Sequence, residues 1–248
     1  MINTIKSEFR KLITVRSTYV ILILTTLILI LFAFYAQGYK APSSALFDSN
    51  YFFEQSEQAV LAVGLLGSLV GVLLMTHEYR YNTITYTLTA SNSRTRVLLS
   101  KVIVVSAFAV AFSLFVGVAS PLLVWAGIHA KGGLLIPQHL DFIRLLWHDV
   151  FVGWGYSILA FIFALIVRAQ VGAISTLFLF PAMIEPLLGL ALKKKAIYLP
   201  YNSLQSIAQN NTSLMHISAG RAVAVFTGYI IGGLLIGWIL FLRRDATS

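Results

Sequence analysis

Six apolar runs, each long enough to cross a bilayer, constrain this chain more than any other feature. A hydrocarbon core about 30 Å thick takes about 20 predominantly apolar residues in a helix rising about 1.5 Å per residue. The runs fall at about 18–37, 57–76, 101–128, 145–167, 171–192 and 222–242. Hydrocarbon offers no water to the backbone, so an isolated apolar run satisfies its own N–H and C=O groups as a helix. Only 11% of the 248 residues are charged, against about a quarter in soluble domains. The sequence therefore predicts an all-α membrane protein with six transmembrane helices, and residues 1–248 form one domain without repeats or a soluble module.

The ends and loops set expectations for orientation. In residues 1–17, Ile2, Ile5, Phe9, Leu12 and Ile13 recur at helical spacing, with Lys6, Arg10 and Lys11 mainly opposite. That pattern predicts an amphipathic helix in the headgroup layer, with Ile5, Phe9, Arg10 and Lys11 at the interface. A secretory signal is the competing reading, but the apolar run from Tyr19 to Ala36 is too long for one and no small-residue cleavage site follows. With both termini in the cytoplasm, eleven Lys and Arg face inward and seven outward. A re-entrant fifth run would make the count thirteen against five, so charge alone prefers five crossings. Residues 171–192 are nevertheless long enough to span, and hairpins in hydrocarbon need burial in protein. Pro121 inside the third run predicts a kink.

Several chemistries are excluded. No G-x-x-x-x-G-K-[ST] phosphate loop occurs, so the chain holds no nucleotide by that device. "HEYRY" starts like a zinc-protease helix, but Tyr81 stands at the second histidine position. "GSLVG" around Ser68 lacks the spacing of a nucleophile elbow. There is no cysteine, hence no disulfide or thiolate site. The formal charge of +9 fits headgroups and cytoplasmic loops better than nucleic acid, for which no basic surface interleaved with aromatics is present. His148–Asp149 reads as an interfacial hydrogen-bonded pair, and "NNTS" at 210–213 as a chance acceptor match.

Three features carry information. Gly67 and Gly71, with Gly64, line the second run, and Gly228, Gly232, Gly233 and Gly237 make two G-x-x-x-G pairs in the sixth. Such spacing lets helices approach closely, either within one subunit or between two. Glu185, flanked by Pro181 and Pro186, is a carboxylate in the fifth run. It sits near the outer boundary paired with Lys193–Lys195, lines a polar path, or binds a proton; insertion of such a charge costs about 3 kcal/mol. Finally, residues 77–101 are the longest polar stretch, "HEYRYNTITYTLTASNSRTRVLLSK". Tyr81, Ile84 and Leu88 form a helical stripe there, while Thr83, Thr85, Thr87 and Thr89 favour strand. Ser93 is placed to cap a helix carrying Arg94, Arg96 and Lys101. A positive-inside loop explains the arginines but not the stripe or Glu78.

Together, "SEFRKLITVRSTY", "HEYRYNTITYTL" followed by "SRTRVLLSK", "MIEPLLG" then "YLPYNSL", and the closing "GWILFLRRD" resemble the permease subunits of type-2 ABC exporters along the whole chain. The resemblance implies a half-size permease in a prokaryotic plasma membrane, paired with a second permease copy and two ATP-binding subunits. ATP and Mg would be bound by those partners and no cofactor by this chain. It implies that residues 1–17 form an elbow helix and that 193–221 hold short re-entrant helices on the outer side. It further implies that residues 77–100 dock on the ATPase through Glu78, Tyr79, Arg80, Thr83, Ile84, Leu88, Arg94 and Arg96. The transported substrate is not legible, although spans this apolar suit an amphipathic or lipid-like peptide or drug. The rival reading is an ion- or proton-coupled secondary transporter using Glu185; the midplane acids and repeat symmetry it calls for are not seen. A membrane-embedded enzyme is the third, without a recognisable catalytic set.

Overall fold

The computed structural model describes residues 1–46, 48–91, 93–133, 142–208 and 217–243. All regular structure among them is helical. Six helical stretches are long and apolar enough to cross a membrane: Arg16–Tyr39, Tyr51–Arg80, Arg94–Ala130, Leu145–Val167, Gln170–Tyr198 and Ala219–Arg243. The acceptor-like 210–213 stretch and Arg244 lie outside the described residues.

Helix α1 (Ile2–Thr14) is followed after one extended residue, Val15, by α2 (Arg16–Leu29). Residues Ile30–Tyr39 continue α2 with a wider, π-helical turn, shown at its end by the Lys40 N–H bonding to the Tyr35 carbonyl at 2.9 Å. The second span comprises α3 (Ser49–Gly67) and α4 (Leu69–Arg80), with Ser68 between them. Asn82, at φ 53°, turns the chain into α5 (Ile84–Ser91); asparagine accepts this left-handed conformation more readily than most residues. Thr85, Thr87 and Thr89 thus sit in a helix. Their hydroxyls bond carbonyls three or four residues back, as Thr89 does to Thr85 at 2.7 Å, which offsets their preference for strand.

Helix α6 (Arg94–Ala130) starts where Ser93 accepts from the Arg96 N–H, and it continues through Pro121. After it come α7 (Phe142–Val167), α8 (Gln170–Leu179), a π-turn at Phe180–Ile184, and α9 (Glu185–Leu192). A 3-10 turn at Lys193–Tyr198 leads to the short α10 (Pro200–Ala208), and α11 (Ala219–Arg243) is the last span. Helix α7 is central, packing against α3, α4, α6, α8, α10 and α11. Within an apolar 18-residue stretch of each span, 72% and 67% of residues are buried in the second and fourth spans, against 17% in the first and fifth. The core therefore forms around α4 and α7, leaving α2 and α8–α9 at the periphery.

Glycines place these helices. A Cβ on Gly127 would stand 2.2 Å from the Phe34 carbonyl oxygen, so α6 meets the π-helical end of span one backbone to backbone. A Cβ on Gly71 would lie 2.7 Å from the Ser157 carbonyl, and one on Gly67 2.3 Å from the Phe112 ring. In α11 the two pairs separate: Gly233 and Gly237 seat on Ile162 and Leu165 of α7, while among the described residues nothing lies within 4 Å of a Cβ on Gly228 or Gly232.

Candidate functional site

A buried cluster of four charges lies at one end of the bundle. Glu8 of α1 and Lys101 of α6 are each 0% exposed, and Glu78 of α4 is 5% exposed. Lys11 Nζ contacts Glu8 Oε1 at 2.6 Å and Glu78 Oε1 at 2.5 Å. Lys101 Nζ contacts Glu8 Oε2 at 2.7 Å and Glu78 Oε1 at 3.1 Å. Each ammonium finds a third acceptor: Thr87 Oγ1 at 3.1 Å for Lys11 and the Leu74 carbonyl at 3.2 Å for Lys101. Thr87 in turn donates to Glu78 Oε1 at 3.2 Å, which ties α5 into the cluster. Two positive and two negative groups balance, so no net charge is buried, and the ion pairs join α1, α4 and α6 with α5 attached through Thr87.

Local sequence explains how each member arrives. The inward stripe of α1 is Ile5, Glu8 and Leu12, at i, i+3 and i+7, and Lys11 flanks it. Ile2, Phe9 and Ile13 form a second, exposed apolar face suited to lipid, while Lys6 and Arg10 are exposed as well. Glu78 lies in the last turn of α4, and Lys101 two turns inside α6. Lys11, outside the spans, is the cluster member that reaches the surface. Burial disfavours its ammonium, but the Glu78 and Glu8 carboxylates outweigh that and hold its pKa above 10.5.

The residues expected on the docking loop divide by burial. Ile84 is 2% exposed and belongs to the protein's own core, and Leu88 and Tyr79 pack against that core. Glu78 likewise points into the cluster, not outward. Arg94 donates to the Phe241 and Leu242 carbonyls at 3.4 and 3.0 Å, and Arg168 to Leu240 at 3.2 Å, so two arginines cap the end of α11. Arg80 reaches Gln170 at 3.2 Å and stands over the Tyr81 ring. Arg96 is exposed, its guanidinium bonding the Ser91 carbonyl at 3.5 Å. The open side of the loop is formed by Tyr81, Thr83, Tyr86, Thr89 and Ala90, with Tyr81 61% and Tyr86 77% exposed.

At the opposite end, Glu185 is 2% exposed and accepts from two backbone donors, Tyr201 N–H at 2.7 Å and Asn202 N–H at 3.0 Å. It caps the N-terminus of α10 from another helix, satisfying amides that would otherwise be orphaned. The Tyr201 ring packs against Tyr156 and Phe180, and burial pushes its hydroxyl pKa up, so it stays a donor, to the Leu177 carbonyl at 3.4 Å.

His148 and Asp149 are both buried, at 4% and 1%, in the first turns of the fourth span. A Cβ on Gly117 of α6 would lie 3.2 Å from Asp149 Cβ, so the carboxyl sits against a helix.

Sequence reading missed Glu8, and it placed Lys101 at the rim of the loop although the residue is fully buried. The available signal was the interruption of an apolar pattern: Glu8 falls between Ile5 and Leu12, and Lys101 opens "KVIVV". A charge on an apolar stripe calls for a buried partner.

Comparison with protein families decides the class. The model of the ABC-2 family transporter protein matches residues 4–190. The chain belongs to the ABC-2 transporter family. This ABC-2 protein is therefore a multi-pass membrane subunit of an ABC-type transporter, a class that works with ATP-binding partner subunits. The matched region contains all four members of the charge cluster, α5 and Glu185. No curated protein matches the chain.

Proposed function

We propose that this ABC-2 subunit is the membrane-spanning half of an exporter, with α5 docking on a separate ATPase that binds ATP and Mg. The supporting observation is the combination of exposed Tyr86 on α5 with hydrogen bonds from Thr87 of that helix to the ion-pair cluster that joins α1, α4 and α6. A force on α5 would reach three elements at once without passing through flexible loop. ATP binding shifts such a two-state system only by its differential affinity for the two states. Lys6, Arg10, Arg80, Arg96 and the capping Arg94 and Arg168 gather at this end, which by the positive-inside rule supports a cytoplasmic location for it. The little-buried first and fifth spans leave surface for a second permease copy, identical or related. An amphipathic peptide, drug or lipid-like substrate suits walls of this apolarity. Both Glu185 oxygens are taken by backbone amides, which supports a capping role over proton carriage.

The test is co-purification with an ATP-binding subunit encoded beside this chain. The complex is expected to hydrolyse ATP, and the permease alone is not. Tyr86→Asp puts a charge on the exposed face of α5 and should lower the co-purified ATPase at least ~10-fold, about 1.4 kcal/mol or more. ATP turnover by the isolated chain, or undiminished capture by the variant, would contradict the proposal.

A further inference from the structure

A half-open groove of about 450 Å³ runs between α1, the start of α2, α4 and α5. This volume falls in the range of about 300–1,000 Å³ typical of small-ligand sites. Its polarity is graded along α4. Val15, Leu73 and Leu74 line the apolar part, and His77, Thr83 and Tyr86 the polar part. Leu73 and Leu74 lie inside the apolar second span, whereas Thr83 and Tyr86 lie beyond its end. The groove thus passes from hydrocarbon level to headgroup level, and from Val70 to His77 its apolar wall rises about 10 Å, a third of the hydrocarbon thickness. A soluble peptide or nucleotide would leave that wall uncovered; the ligand must be an amphiphile that shares the membrane.

We infer that the groove holds one phospholipid per chain, drawn from the leaflet in which α1 lies. An acyl chain lies along Leu73 and Leu74, and the phosphate and ester oxygens accept from the Tyr86 and Thr83 hydroxyls and the His77 ring. Charge complementarity selects the headgroup. Lys11 borders the groove, but its three donors are spent on Glu8, Glu78 and Thr87 within a neutral cluster. No free cation of the cluster attracts an anionic lipid, so a zwitterionic headgroup such as phosphatidylethanolamine is accommodated and binding is insensitive to salt. The exposed Ile2, Phe9 and Ile13 hold α1 at the membrane surface, so the mouth opens where such lipids reside.

Native mass spectrometry of the purified chain with equimolar phosphatidylethanolamine and phosphatidylglycerol tests this directly. One phosphatidylethanolamine should survive per chain, at low and high salt alike. Val15→Trp, which fills the groove from its partly exposed wall, should lower that occupancy ~10-fold or more at unchanged helicity. A second measurement does not depend on that variant. The chain has no cysteine, so Tyr86→Cys can carry a single fluorophore in vesicles containing phosphatidylethanolamine with a nitroxide on its headgroup. Quenching is expected there and not at Thr89→Cys, exposed three residues further along α5. No retained lipid, a preference for phosphatidylglycerol that salt abolishes, or equal quenching at both positions would overturn the inference.

Discussion

Lys101 illustrates how much one side chain constrains this bundle. Its ammonium is fully buried and spends its three donors on Glu8, Glu78 and the Leu74 carbonyl. A buried ion pair adds little over a hydrophobic replacement, but removing one partner strands a charge and costs about 3–5 kcal/mol. Lys101→Met is expected to destabilise by that amount in unfolding measurements in detergent. The double variant Glu8→Leu with Lys101→Met should recover most of it, because the Lys11–Glu78 pair then balances. Recovery no better than the single variant would argue against a charge origin. Lys11 gives the pH dependence. Its folded pKa lies above its unfolded value near 10.5, so its contribution is complete below about pH 10.5 and is lost as pH rises through the folded value. Stability should show no Lys11 step between pH 6 and 9, and Lys11→Met should remove a loss seen above pH 10.5. Glu185→Gln tests the other end. Glutamine keeps one acceptor for two backbone donors, so a loss of about 1.5–3 kcal/mol is expected, with transport still driven by ATP. Flux driven by a pH gradient alone in vesicles, and abolished by Glu185→Gln, would instead make this residue a proton carrier.

Helix α5 divides its residues between the protein and its surroundings. Ile84 and Leu88 anchor it to the core, Thr87 ties it to the cluster, and Tyr86 faces outward, as does Tyr81 in the turn before it. Two kinds of variant should therefore separate. Glu78→Lys places three lysines around one glutamate and is expected to lower stability by several kcal/mol, on the scale of stranded buried charges. Tyr86→Asp is expected to leave the unfolding midpoint within about 1 kcal/mol of the parent while weakening ATPase capture. Equal effects of both substitutions on stability would show that the outward face is also structural. The same division appears in α11, where Gly233 and Gly237 serve α7 while Gly228 and Gly232 face open space. A single glycine motif thus serves two directions of one helix.

For the molecule as a whole, the arrangement is a central pair of spans with four others around it, and its two ends differ in chemistry. One end carries the charge cluster, α5 and the arginine-capped terminus of α11. The other carries Lys193–Lys195 and the Glu185 cap. The absence of cysteine makes the orientation measurable without background. A cysteine at Ala90, exposed at the end of α5, should resist an impermeant maleimide in intact cells and react after lysis, whereas one at Lys194 should react in both. The reverse pattern would invert the molecule, and protection at both positions would support five crossings.

The number of spans, their helical nature and the amphipathic character of the N-terminal segment were legible in sequence, because hydrocarbon leaves the backbone no partner but itself and so makes length and apolarity sufficient. The position of the N-cap at Ser93 was legible for a similarly local reason. What residues 8, 11, 78 and 101 do together was not, since up to 93 positions separate Glu8 from its Lys101 partner and no local pattern records that distance. Nor could sequence tell which glycines face a helix and which face open space. The π-helical end of the first span was equally hidden; it lies where α6 comes backbone to backbone with it at Gly127. Apolar periodicity reports transfer out of water, a property of each segment alone. Pairing of buried charges and close helix contacts depends on which segments meet, and only the tertiary structure decides that.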